Sequence, residues 1–185
     1  MEEKNLHRIF VAIDFPDNLI KEVARIQEIL RNLKFTGKLT ELENLHLTLK
    51  FLGEVDEEKL IIVREKLKEI RLNSFESGID KIGTFSFREN PRIIWIKIAG
   101  KGIFELQKKI DTILSEIGFE KEQRFMSHMT IARIKYVKDK IRFKEYVNCI
   151  KLKKIKFKVD RFNLKESELR EMGPVYSDLE IYELD

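Results

Sequence analysis

Two periods of apolar residues divide the chain. Segments that alternate every second residue, or run continuously apolar, read as strands; segments with apolar residues every third or fourth position read as helices. On that basis residues 6–15 form a strand and 17–33 a helix entered at Pro16. Residues 45–52 form a second strand closed by Gly53, and Asp56 caps a helix running to about Ile70. Residues 75–87 are strand-like with a break at Gly83, and 92–98 form a strand. Gly100 and Gly102 precede a helix over 103–117 that Gly118 ends. A strand over 127–135, a short helix over 139–150, and strands over 153–164 and 175–184 complete the chain.

The order strand, helix, loop, strand occurs twice. Arg92-Ile93 opens RIIWIKI 84 residues beyond Arg8-Ile9, which opens RIFVAIDF. The same shift carries Leu19 onto Ile103, Ile26 onto Ile110, Leu30 onto Leu114 and Phe35 onto Phe119. The apolar phase of the helix is thereby preserved, as expected of a duplication. The expected fold is α+β and bilobal: two pseudo-symmetric lobes of antiparallel sheet, with outer helices, around a central cleft. The 185 residues then form a single two-lobed domain with duplicated units near 8–53 and 92–135.

Both copies carry His-x-Thr in their last strand: His46-Leu47-Thr48 and His128-Met129-Thr130. These hold two of the three histidines; His7 lies outside the pattern, before the first strand, and is expected to be exposed. On a strand, residues i and i+2 share a face. Each copy therefore sets an imidazole beside a hydroxyl. In the first copy Leu45, Leu47, Leu49 and Phe51 make the opposite face fully apolar, so it should be buried. His46 and Thr48 are left to line a cleft, and the two histidine strands should face each other across it.

Two imidazoles suit paired general acid and base chemistry near neutral pH. Two histidines are too few ligands for a zinc site, and there is neither His-x-x-x-His nor a cysteine pair, so no metal and no cofactor is expected. Ser127 adjoins His128 but points to the other face, and no Gly-x-Ser-x-Gly elbow exists. Without a strong nucleophile, the set fits in-line displacement at phosphorus. One histidine activates the attacking oxygen and the other protonates the leaving oxygen, while the threonines donate to the phosphate.

Composition narrows the setting. The formal charge of +4 and pI of about 9.0 mildly favour an anionic partner. Charged residues make up 37% and glutamines number only three, a thermophile-like balance. The single Cys149 excludes an internal disulfide and is expected to be buried. No apolar run is long enough for a membrane span, and MEEKNLHRIFVAIDF lacks the layout of a signal peptide. A cytoplasmic monomer is the expectation.

Five segments resemble the two-histidine phosphoesterase superfamily, specifically its RNA 2′,3′-cyclic phosphodiesterases, also called 2′-5′ RNA ligases. They are RIFVAI at 8–13, HLTLKFLG at 46–53, PRIIW at 91–95, HMTIAR at 128–133, and Gly173-Pro174-Val175-Tyr176 with Leu179. The resemblance implies metal-free opening of an RNA 2′,3′-cyclic phosphate to a 2′-phosphate. It implies His46 as general acid, His128 as general base, and Thr48, Thr130 and Arg133 as phosphate ligands. Ligation would be the same chemistry with an RNA hydroxyl replacing water.

Alternation places Arg133 opposite His128 and Thr130; only a strand end or a bulge near Ala132 would re-aim it. Phe10 either stacks a base or joins the core. Tyr176 either caps the ligand or packs inside, and Trp95 reads as a core anchor. Lys154, Lys156 and Lys158 form either an RNA track or a solvated edge. Two other functions share the motif pair: a cyclic phosphodiesterase acting on a small nucleotide (a cyclic nucleotide or ADP-ribose cyclic phosphate), and a non-catalytic RNA- or nucleotide-binding module.

Overall fold

The computed structural model describes residues 6–171 and 173–185. Among them are four α-helices and nine strands, an α+β fold. The strands are β1 His7–Asp14, β2 Phe35–Leu39, β3 His46–Val55, β4 Phe75–Phe87, β5 Asn90–Ala99, β6 His128–Val137, β7 Lys156–Val159, β8 Arg161–Arg170 and β9 Gly173–Glu183. The helices are α1 Asp17–Arg31, α2 Glu57–Leu67, α3 Lys101–Ser115 and α4 Lys140–Asn148.

The strands form one antiparallel sheet in the order β7-β4-β5-β6-β3-β1-β8-β9, with β2 also paired to β6. The two histidine strands therefore lie side by side at the centre rather than facing one another. They are joined by a single residue pair, Leu47 with Met129. β7 and β8 lie far apart in the strand order, yet only Asp160 separates them in the chain. Successive Cα atoms are about 3.8 Å apart, so the sheet must curl until these strands nearly meet. The reading of 153–164 as one strand is corrected accordingly. Alternation breaks at Asp160-Arg161, two polar residues in succession, where the pairing partner changes from β4 to β1 and β9.

The apolar set of the strands (Ile9, Val11, Leu47, Ile94, Ile96, Met129) packs with the helices in one core. Helix α1 buries Leu19, Glu22, Val23, Ile26, Gln27 and Leu30. Helix α3 buries Ile103, Leu106, Gln107, Ile110, Asp111 and Leu114, the same positions shifted by 84. Each fully buried Leu, Val or Ile adds roughly 1.5–3 kcal/mol. Asp56 caps α2 as expected, accepting from the Lys59 amide at 3.0 Å.

Strand β2 has no counterpart in the sequence reading. Its FTGKL pattern is largely exposed, so no alternation marks it. It forms because Gly37 allows close approach to β6: a Cβ there would overlap the Arg133 carbonyl. Two further expectations, on Cys149 and His7, are corrected. Cys149 is exposed, just past the end of α4. His7 opens β1 half-buried, Nδ1 2.8 Å from Glu166 and Nε2 3.0 Å from Glu57. The exposed Lys156 and Lys158 lie on β7, an edge strand remote from β3 in the strand order.

Candidate active site

A cleft of about 550 Å³ lies on the sheet face away from the main core. It collects His46, Thr48 and Phe51 from β3, His128, Thr130 and Arg133 from β6, and Arg8 and Phe10 from β1. Ser167 and Leu169 of β8 and Tyr176 of β9 complete one side. Every site residue expected from the sequence is present.

The two histidines are held alike. His46 Nδ1 lies 2.9 Å from the carbonyl of Asn44, and His128 Nδ1 lies 2.8 Å from that of Met126. A carbonyl can only accept, so Nδ1 carries hydrogen in each ring and Nε2 is the nitrogen left for chemistry. Each carbonyl lies two residues before its histidine, so the same local backbone orients both rings. His46 Nε2 also lies 3.1 Å from the Thr48 hydroxyl.

Their surroundings differ. His46 sits against Phe10 and Tyr176, with ring centroids at 4.9 and 5.1 Å. His128 meets Phe85 edge-on at 5.0 Å. Burial above all pushes the His46 pKa down to about 4. The Asn44 carbonyl and Asp14 oppose this, whereas the Lys165 and Arg133 charges add to it. Lys165 is itself buried, 2.6 Å from Asp178 and 2.9 Å from Asp14. The Tyr176 hydroxyl is pushed up by burial, with Arg133 and Arg8 pulling the other way.

The His46 shift has a consequence for folding. Between about pH 6.5 and 4 the unfolded chain holds a proton on this imidazole that the native protein excludes. Stability should therefore fall with pH across that window, by up to ~3 kcal/mol from this group. Urea denaturation at pH 7 and pH 4 should show a smaller loss in His46→Gln than in the original chain. Equal losses would contradict the buried, neutral imidazole.

A bulge resolves the Arg133 problem. Ile94 pairs with Ala132 and Trp95 with Thr130, leaving Ile131 as the extra residue of β6. Ile131 and Ala132 both turn inward, and Arg133 emerges on the cleft face. β3 repeats the device: Val11 pairs with Lys50 and Ala12 with Thr48, leaving Leu49 extra. Phe51 thus emerges into the cleft, 53% exposed, and its predicted burial is corrected. Arg8 lies over its ring at 5.4 Å. Phe51 follows His46 by five residues, as Arg133 follows His128, and that spacing is the signal in the sequence that marks it.

Two aromatic expectations change. Phe10 lines the cleft but is only 1% exposed, wedged among His46, Phe51 and Tyr176, so it offers no free face. Trp95 is half-buried on the cleft side of the sheet, 5.2 Å from Phe85, rather than in the main core. Among the described residues no three His, Cys, Asp or Glu side chains converge as a metal site would require. None of the described helices is long and apolar enough to cross a membrane.

Comparison with known proteins gives this cleft a family. The family model described as LigT-like phosphoesterase matches residues 13–95 and 97–176. An RNA 2′,3′-cyclic phosphodiesterase of Methanocaldococcus jannaschii is 39% identical, over 91% of this chain and 96% of its own. One of Thermotoga maritima is 35% identical, over 93% and 92%. A crystal structure from Thermus thermophilus superposes with a TM-score of 0.77 at 25% identity, covering 95% of this chain and 97% of that one. Escherichia coli LigT complexed with 3′-AMP shares the fold, with a TM-score of 0.77 at 23% identity over 97% and 99%. The chain belongs to the LigT-like phosphoesterase family.

Proposed function

We propose that this cyclic phosphodiesterase opens RNA 2′,3′-cyclic phosphate ends to 2′-phosphates without a metal. The carrying observation is the pair of Nε2 atoms, each fixed by a carbonyl two residues upstream, in one cleft with Thr48, Thr130 and Arg133. The names of the relatives support the substrate. The absence of a converging donor set among the described residues favours chemistry by the side chains themselves.

In this reading His128 Nε2 takes a proton from water as the water oxygen bonds to phosphorus. The P–O3′ bond breaks, and His46 Nε2 gives its proton to O3′. Thr48 and Thr130 hydroxyls and the Arg133 guanidinium hold the non-bridging oxygens, the guanidinium through parallel N–H donors. His46 starts neutral, so its acid role requires a proton acquired as the substrate enters. The negative phosphate supplies the reason, because an adjacent opposite charge raises an imidazole pKa. The exposed face of Phe51 offers a stacking surface for the terminal base. Ligation is the same displacement with an RNA hydroxyl attacking phosphorus in place of water, O3′ again leaving, so that a 2′-5′ linkage forms. The same reading takes the chain as one monomeric, two-lobed domain whose halves repeat one unit, supported by the matching bulges and the matching helix faces.

The test is hydrolysis of a short RNA with a 2′,3′-cyclic end in excess chelator, followed by phosphorus NMR. A 2′-phosphate formed at undiminished rate is expected. A predominant 3′-phosphate, or activity that returns only with added zinc or manganese, would overturn the reading.

A further inference from the structure

Gln27 is a buried polar side chain on α1, 5% exposed, facing the apolar core. Its amide nitrogen donates to the carbonyl of Thr40 at 2.7 Å and to that of Ile131 at 3.0 Å. Ile131 is the extra residue of β6, the one whose insertion turns Arg133 into the cleft. The Thr40 amide donates to the same carbonyl at 3.0 Å. A bulge takes a residue out of the regular ladder and leaves its backbone groups to find other partners. Here the partners come from outside the strand, and one is a side chain on a helix from the other half of the molecule.

Asp111 occupies the corresponding place on α3, 84 residues on, and serves the other bulge. It binds the Nζ of Lys50 at 2.5 Å, and Lys50 directly follows the extra residue Leu49 of β3. At both bulges, then, a polar residue buried on one half's helix ties down the displaced segment of the other half's histidine strand. Leu, Val or Ile would pack at position 27 at no desolvation cost. A buried amide there is explained by the carbonyls it satisfies.

We propose that Gln27 is a positioning residue for Arg133, acting through the bulge at Ile131. It does not touch the substrate. It fixes where the guanidinium emerges, and hence how well the phosphate is held. The inference rests on the phosphate role given to Arg133 above.

The test is a double-mutant cycle on hydrolysis of the cyclic-phosphate RNA, using Gln27→Leu and Arg133→Ala, at a temperature where circular dichroism shows every variant folded. Gln27→Leu should lower kcat/KM by roughly 10–100-fold, the scale of an ångström-sized misplacement in a catalytic constellation. In the Arg133→Ala background the same change should cost less than about 2-fold, because there is no longer a guanidinium to aim. A merely structural residue would cost the same in both backgrounds, and that additivity would overturn the proposal, as would an unimpaired Gln27→Leu. Hydrogen exchange adds a readout independent of activity: protection of the Thr40 amide should fall in Gln27→Leu. Should Leu prevent folding, Gln27→Met keeps the length without the donors and carries the same expectations. An Arg133→Ala enzyme of full activity would instead sink the phosphate reading, and the proposal with it.

Discussion

Replacing either His46 or His128 with alanine should lower the catalytic rate by roughly 10²–10⁴-fold, the usual worth of general acid or base catalysis. No other histidine can substitute. His7, the third, lies between Glu57 and Glu166 outside the cleft. The double variant should lose far less than the product of the two single losses, because an acid and a base that act in one displacement fail together. The profile of rate against pH should be bell-shaped, each single variant losing one limb. Single-turnover measurements on the four enzymes would settle the matter. A folded single variant with near-original turnover would remove that imidazole from the mechanism.

The second large effect concerns stability. Lys50 is 5% exposed and Asp111 9% exposed, and the lysine also donates to the carbonyl of Glu120 at 2.6 Å. Asp111→Ala should cost about 3–5 kcal/mol, since it strands a buried cation. Changing both partners, as Lys50→Met with Asp111→Leu, should restore most of that loss, because a packed apolar pair carries no desolvation cost. Denaturant melts of the three proteins measure this directly. A single variant within about 1 kcal/mol of the parent would mean that water reaches Lys50 and that the pair is not sealed.

Both effects turn on residues that the sequence reveals unequally. The histidines and threonines are legible because i and i+2 share a strand face whatever the strand pairs with. The helices are legible because their apolar period is local. Phe51 is misread because alternation counted from His46 sends it to the core, whereas the extra residue Leu49 turns it into the cleft and leaves Lys50 inside. A bulge is defined by the partner strand, which lies far away in the chain. Arg133 shows the same limit from the other side, since its spacing from His128 is readable but the turn that aims it is not. Strand β2 escapes notice because Gly37 works by what it lacks. The burial of Phe10 follows from Tyr176, which arrives 166 positions later.

The one-residue link at Asp160 bears on how the chain is made. β8 and β9 complete the half that contains β1 and β3, so that half is assembled from segments more than 100 residues apart. The half around His128 takes β4, β5, β6 and β7 from the continuous stretch 75–159 and borrows only β2 from upstream. Emerging from the ribosome, the chain therefore presents His46 early but encloses it late. Its aromatic wall is finished only when Tyr176 pairs into place beside Ser167. Until then β1 has a bare edge where β8 will lie, while β3 and β6 already have sheet neighbours on both sides.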